Sequence, residues 1–141
     1  MHAVTSGLLG ATALTAVHET LRRLIDAPPR MDIVGMRGLK RLYRMSGHRP
    51  PAGNQLYWMT LAGDIVSNAA YYAAVNAGSR RAAWNRATVL GLAAGIGAVT
   101  LPQRLGLGTP PNNHRLRTRV LTVAYYLTGA LVAAAAARRR R

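Results

Sequence analysis

The residues best suited to chemistry are a few acidic, imidazole and amide side chains that interrupt otherwise apolar stretches. Thr60, Asp64 and Asn68 recur every four residues and therefore lie on one face of a helix. His18 and Glu19 stand near the end of an earlier apolar stretch. If the two helices run antiparallel, we expect both groups to share one level of the fold.

Such a cluster would support three kinds of chemistry. Carboxylates and imidazoles can relay protons, because histidine titrates near neutral pH. Carboxylate and amide oxygens can also hold a hard cation, with histidine in support. Acid–base chemistry on a lipid head group is the third option. His114, which precedes the last apolar stretch, is expected on the same side and joins the candidates.

Each candidate also has a purely structural interpretation. Glu19 stands three residues before Arg22, so an ion pair on one helix would account for it. His18 would simply lie at a membrane interface, and Asn68 would hydrogen-bond between helices. Asp64 differs because no basic residue lies within one helical turn of it. In a lipid-crossing helix it would need a partner from another helix, a proton or water.

Four apolar stretches must position these residues, at about 3–24, 56–76, 83–101 and 119–137. About 20 residues are needed to cross the hydrocarbon of a bilayer. Half of the 141 residues are hydrophobic, yet the formal net charge is +15. Membrane spans joined by basic connections explain both facts. The sequence therefore predicts an all-α integral membrane four-helix bundle, with residues 1–141 as a single transmembrane domain.

The connection between the first two stretches has its own organisation. Pro28 and Pro29 end the first helix, and Asp32 is predicted to be the N-cap of a second one. Four basic residues follow the spacing of one helical face: Arg37, Lys40, Arg41 and Arg44. We expect an interfacial amphipathic helix over about 33–46 whose basic face contacts anionic lipid head groups.

The distribution of basic residues predicts an orientation. The first and third connections carry more arginine and lysine than the second connection and the C-terminal end. The positive-inside rule then places those two connections in the cytoplasm and both termini outside. The arginine run at 138–141 opposes this orientation. A bacterial inner membrane is the simplest location, and nucleic acid is not an expected partner because apolar spans divide the positive charge.

The chain lacks cysteine, so disulfides, thiol nucleophiles and cysteine-bound metals are excluded. No catalytic or cofactor-binding motif is present, and no cofactor is predicted; a metal is left undecided. The favoured function is to bind or move a proton, a cation or a small polar ligand. The alternatives are a membrane enzyme acting on a lipid or isoprenoid, and a non-catalytic scaffold. Four short helices enclose little volume, so transport would need a homo-oligomer. Gly91-x-x-x-Gly95 would supply an interface either between copies or within one chain.

Overall fold

The computed structural model describes residues 2–79 and 81–138. Within these ranges the chain forms five α-helices and no strand: α1 His2–Leu24, α2 Met31–Met45, α3 Gly53–Ala73, α4 Ala83–Arg104 and α5 Leu116–Arg138. A 3-10 turn, Ala74–Asn76, follows α3 directly. The all-α prediction is confirmed, and each of the four predicted spans coincides with one long helix. Most of the predicted C-terminal arginine run, residues 139–141, lies outside the described residues.

The long helices pack mainly in the order α3, α1, α5, α4, and neighbouring helices in this row run antiparallel. Small residues allow the close approach. Gly7 near the start of α1 contacts the backbone of Ala69 near the end of α3. At Gly10, a Cβ would lie 2.5 Å from the carbonyl oxygen of Gly129 on α5. Any side chain at these two positions would force the helices apart.

The seam between α4 and α5 is closed in the same way. A Cβ at Gly91 would lie 2.8 Å from the Cα of Leu127, and a Cβ at Gly95 would lie 2.6 Å from the Cα of Val123. The Gly91-x-x-x-Gly95 pattern is therefore used within this chain. It brings two backbones into contact, as small residues do at helix crossings.

The core between the long helices consists mostly of alanine around two tyrosines, Tyr72 and Tyr125. The fully buried alanines are Ala11, Ala87, Ala130, Ala133 and Ala134. Tyr72 is also fully buried, and its hydroxyl donates a hydrogen bond of 2.7 Å to the carbonyl of Tyr126. Buried polar atoms must find partners, and this backbone carbonyl satisfies the phenol.

One helix of the described chain is both long and apolar enough to cross a membrane: α5, over Leu116–Ala137. Helices α1, α3 and α4 have a similar length but do not meet both criteria. The four predicted spans are thus confirmed as helices, but a four-span membrane bundle is not confirmed, since the described chain has one candidate span. A regular four-helix bundle is not supported, because the main contacts form a row and a fifth helix lies across one end.

Helix α2 begins two residues before the predicted start at 33. Arg30 occupies the N-cap position without a side-chain cap bond, and Asp32 lies inside the first turn. The assignment of Asp32 as the N-cap was therefore wrong. Helix α2 packs on α3, where Gly35 faces Thr60. It also reaches the connection between α4 and α5, where Arg37 donates to backbone carbonyls.

Candidate functional site

A cavity of about 230 Å³ lies where α2 covers α1, α3 and α5. Three of the four acidic residues of the whole chain line it: Glu19, Asp32 and Asp64. Among the described residues no lysine or arginine lines it, although the whole chain contains 19 of them. Negative charge is therefore concentrated at one internal site of a strongly basic protein.

The turn between α1 and α2 brings the first two acidic residues together. Pro29 is fully buried, and Ala27 adopts a positive φ of 50°. Two partners from the α5 side hold this turn. The Thr118 hydroxyl donates to the Ala27 carbonyl at 3.0 Å, and the Asn112 amide donates to the Pro28 carbonyl at 3.0 Å. The chain thereby reverses, so that the first turn of α2 meets the last turns of α1.

Asp32 and Glu19 each have an arginine partner at the edge of the cavity. Arg30 donates two hydrogen bonds to the Asp32 carboxylate, from Nε at 2.9 Å and from Nη2 at 2.8 Å. Arg22 Nη2 donates to Glu19 Oε2 at 2.6 Å, which is the ion pair on one helix considered from the sequence. Burial tends to raise the pKa of Asp32, but the Arg30 guanidinium, with smaller effects of His18 and Arg22, holds that pKa below its usual value.

His18 lies between these two carboxylates. Its side chain is only 8% exposed, with Nδ1 at 3.6 Å from Glu19 Oε1 and Nε2 at 3.8 Å from Asp32 Oδ1. The ring meets Tyr125 edge-on, at 5.5 Å between centroids. Nε2 is buried without a hydrogen-bond partner among the described residues. An imidazole nitrogen left without a partner beside a cavity is positioned to bond to whatever enters it.

Asp64 lies on the α3 side of the cavity and differs from the other two carboxylates. No ion pair or hydrogen bond to its carboxylate occurs among the described residues. The Asn68 amide donates at 2.8 Å to the backbone carbonyl of Asp64, within the same helix. Helix α2 approaches here at Gly35, where a Cβ would lie 3.2 Å from Asp64 Oδ2. The carboxylate thus faces the cavity with no basic side chain to neutralise it.

The predicted candidates divide as follows. His18, Glu19, Asp64 and Asn68 all line the cavity. His114 does not, because it is exposed in the connection before α5. Three of the four predicted head-group contacts, Arg37, Arg41 and Arg44, line a separate groove beside that connection.

Sequence reasoning missed several cavity residues, including one carboxylate and two tyrosines. Asp32 was assigned to a helix cap, and neither Tyr57 nor Tyr125 was among the candidates. A partial signal was present for Asp32, since the prolines at 28–29 end the first helix and α2 begins two residues later. So short a connection keeps the first turn of α2 near the end of α1, but it does not indicate the direction of the turn. For the two tyrosines, the spacing contained no signal that separates a cavity wall from a core.

The arrangement can accept protons and positively charged or hydrogen-bonding ligands. Within residues 2–79 and 81–138, no group of three or more histidine and acidic side chains is arranged to hold a metal ion. The chemistry available is that of unpaired oxygens and one imidazole nitrogen around a small space. Comparison of the chain with protein-family models, curated proteins and solved structures gives no match.

Proposed function

We propose that this is a multi-pass membrane protein whose cavity binds a proton or a small cation and passes it on. The observation that carries the proposal is the concentration of three of the four acidic residues around one cavity. Asp64 is the central residue, because its carboxylate has no basic partner among the described residues. A carboxylate of this kind gains more from a bound cation than one already paired with arginine.

Membrane crossing by all four long helices is supported by their dimensions and outer faces. They contain 23, 21, 22 and 23 residues, and about 20 are needed to cross the bilayer. Large apolar side chains point outward on each one. Val4, Val66, Val89 and Val120 are 67%, 69%, 65% and 56% exposed. Lipid would cover side chains that are costly to expose to water.

We place the two basic connections, the one from α1 to α3 that contains α2 and the one from α4 to α5, on the cytoplasmic side of a bacterial inner membrane. The cavity opens at the same end of the molecule, since its lining includes the first turns of α2 and Leu107 of the α4–α5 connection. A ligand would therefore exchange with the cytoplasmic side first. Passage to the other side requires a rearrangement or a second copy of the chain.

The size of the cavity favours a small ligand. Its volume of about 230 Å³ is below that of typical sites for drug-sized molecules, which begin near roughly 300 Å³. A carboxylate at membrane depth costs about 2.5–3.5 kcal/mol on insertion scales. Binding a proton or an ammonium-sized cation offsets that cost directly, because it neutralises the charge.

The decisive experiment compares two carboxylates in proteoliposomes. Asp64→Asn removes the unpaired charge and keeps the shape of the side chain. Asp26→Asn is the matched control, because Asp26 is the one acidic residue outside the cavity lining and is exposed. Proton flux is followed with an enclosed pH-sensitive dye, and cation uptake with labelled methylammonium.

We expect Asp64→Asn to reduce flux of protons or methylammonium at least about tenfold, which corresponds to about 1.4 kcal/mol. Asp26→Asn should match the unsubstituted protein. Equal flux in both variants would contradict a role for Asp64. Flux no higher than in empty liposomes for every protein would instead favour a non-catalytic scaffold.

A separate measurement tests the membrane part of the proposal. Membranes from expressing cells are washed with alkaline carbonate, which strips peripheral proteins and leaves inserted ones. We expect the chain to remain in the pellet until detergent is added. Release by carbonate alone would contradict a multi-pass protein, whatever the flux experiment shows.

A further inference from the structure

A second recess, distinct from the cavity, lies between α2 and the α4–α5 connection. It has a volume of about 510 Å³ and is lined by three arginines of α2, Arg37, Arg41 and Arg44, together with residues 106–109. We call it the basic groove. No acidic residue is among its lining, and Lys40 of the same helix is not part of it.

Two of the three guanidinium groups are held in place by the opposite wall. Arg37 Nη1 donates to the carbonyls of Leu107 and Thr109, at 3.2 and 3.0 Å. Arg41 Nη1 donates to the carbonyl of Leu105. A guanidinium has five N–H donors, so each group keeps donors beyond those used here. Two of the three positive charges are therefore hydrogen-bonded to the wall before any ligand arrives.

The opposite wall is built so that the arginines fit. Gly106 and Gly108 have φ values of +72° and +77°, a region that side chains disfavour. A Cβ at Gly106 would lie 3.0 Å from Arg41 Nη1, and one at Gly108 would lie 3.1 Å from Arg37 Nη1. These two glycines thus make room for the two guanidinium groups that bind the wall.

We infer that the basic groove binds the phosphate group of an anionic phospholipid. Planar guanidinium donors match the oxygens of phosphate, and their fixed positions reduce the entropy lost on binding. This site goes beyond the proposed function because it uses none of the polar cavity residues and shares only Leu107 with the cavity lining. The lipid as the source of the phosphate rests on the membrane location proposed above, whereas the phosphate chemistry does not.

The test uses the full-length protein in neutral detergent and measures its thermal unfolding temperature. One arm adds phosphatidic acid to the micelles, with phosphatidylcholine as the neutral comparison. The other arm adds inorganic phosphate, with sodium chloride at the same ionic strength. We expect phosphatidic acid to raise the unfolding temperature in a saturable way, and phosphatidylcholine to leave it unchanged.

Matched variants separate a defined site from general attraction to positive charge. Arg44→Gln removes a groove arginine that makes no hydrogen bond to the wall among the described contacts. Lys40→Gln removes the same charge from the same helix outside the groove. Arg44→Gln should weaken the apparent affinity for phosphatidic acid about tenfold, and Lys40→Gln should change it less than about twofold.

Each outcome decides the inference. Equal losses in Arg44→Gln and Lys40→Gln would overturn the site in favour of diffuse charge attraction. Stabilisation by inorganic phosphate but not by phosphatidic acid would confirm the phosphate chemistry and overturn the lipid as its source. No stabilisation by either anion would overturn the inference altogether, and it would leave the proton and cation measurements on Asp64 unaffected.

Discussion

The α4–α5 seam and the α2–α3 contact both depend on glycine, but the glycines face different groups. Gly91 and Gly95 face the backbone of α5, at Leu127 and Val123. Gly35 faces side chains instead, the Thr60 methyl and the Asp64 carboxylate. The first contact is closed and apolar. The second lies against the polar cavity.

This difference shows how one small chain combines stability with an internal polar site. Close backbone contact among α1, α4 and α5 fills one region with alanine and glycine, which pack at high density. The cavity region cannot rely on such contacts, so its acidic residues depend on arginine partners and on the shape of the turn before α2. Asp64 has neither, which is why we assign it to function.

The largest effect is expected from Gly95→Ala in the closed seam. The added Cβ would lie 2.6 Å from the Cα of Val123, so a helix and not merely a side chain must move. We expect the free energy of unfolding to fall by about 3 kcal/mol, at the upper end for overpacking. The measurement is unfolding in mixed micelles followed by circular dichroism.

Gly63→Ala is the matched control for this prediction. Gly63 also lies inside a helix, α3, but a Cβ there would meet nothing within 4 Å. Alanine favours helix over glycine by up to about 1 kcal/mol, so this variant should be slightly more stable. If both variants lost the same stability, close packing at Gly95 would not be the cause.

A smaller decrease in the free energy of unfolding is expected from Arg30→Gln at the edge of the cavity. The change leaves the Asp32 carboxylate, which is 8% exposed, without its charged partner. Removing one member of a fully buried pair costs about 3–5 kcal/mol. Because the Arg30 side chain is 30% exposed, we expect about 2 kcal/mol after allowing for screening by solvent.

The pH dependence of the same pair has a defined sign. Burial raises the pKa of Asp32, but Arg30, with smaller effects of His18 and Arg22, lowers it by more, so the pKa in the folded protein is below its usual value. The unfolded chain therefore binds this proton first as the pH falls. The contribution of the pair should be complete above about pH 4 and disappear as the pH falls through the lower, folded pKa. Arg30→Gln should remove this part of the acid dependence, and an unchanged acid profile would contradict the pairing.

The helices were largely predictable because their signal is local. Apolar stretches placed α1, α3, α4 and α5, and the basic spacing placed α2 within two residues at its start. The antiparallel argument also grouped His18 and Glu19 with Asp64 correctly, since helix direction alone determines which ends meet. Helix direction does not indicate whether a helix crosses a membrane. Within the described chain, α5 is the one helix that is both long and apolar enough to do so.

The contacts between distant segments were not predictable. Arg37 and Arg41 were expected to face lipid head groups, and the spacing did not indicate that both also donate to carbonyls some seventy positions along the chain, at Leu107, Thr109 and Leu105. The role of Asp32 depends on a turn that contains a positive φ at Ala27, a conformation that alanine rarely adopts. Spacing along the sequence cannot indicate either feature, because both arise from tertiary contacts.

The smallest effect on stability, and the sharpest test of the comparison, is expected from Gly35→Ala. The added methyl would lie 2.7 Å from the Thr60 methyl and 3.2 Å from Asp64 Oδ2, so side chains must move into the cavity while the backbone stays in place. Alanine favours the helix by up to about 1 kcal/mol, which roughly offsets that displacement, and we expect a net change of less than about 1 kcal/mol. Gly38→Ala on the same helix is the control, because Gly38 also lines the cavity but a Cβ there would have Leu107, at 3.9 Å, as its nearest contact. Flux of protons or methylammonium should fall in Gly35→Ala and not in Gly38→Ala, since only the first narrows the space beside Asp64. Loss of stability without loss of flux would mean that the α2–α3 contact is a packing seam like that of α4 and α5. The two regions would then not differ in function.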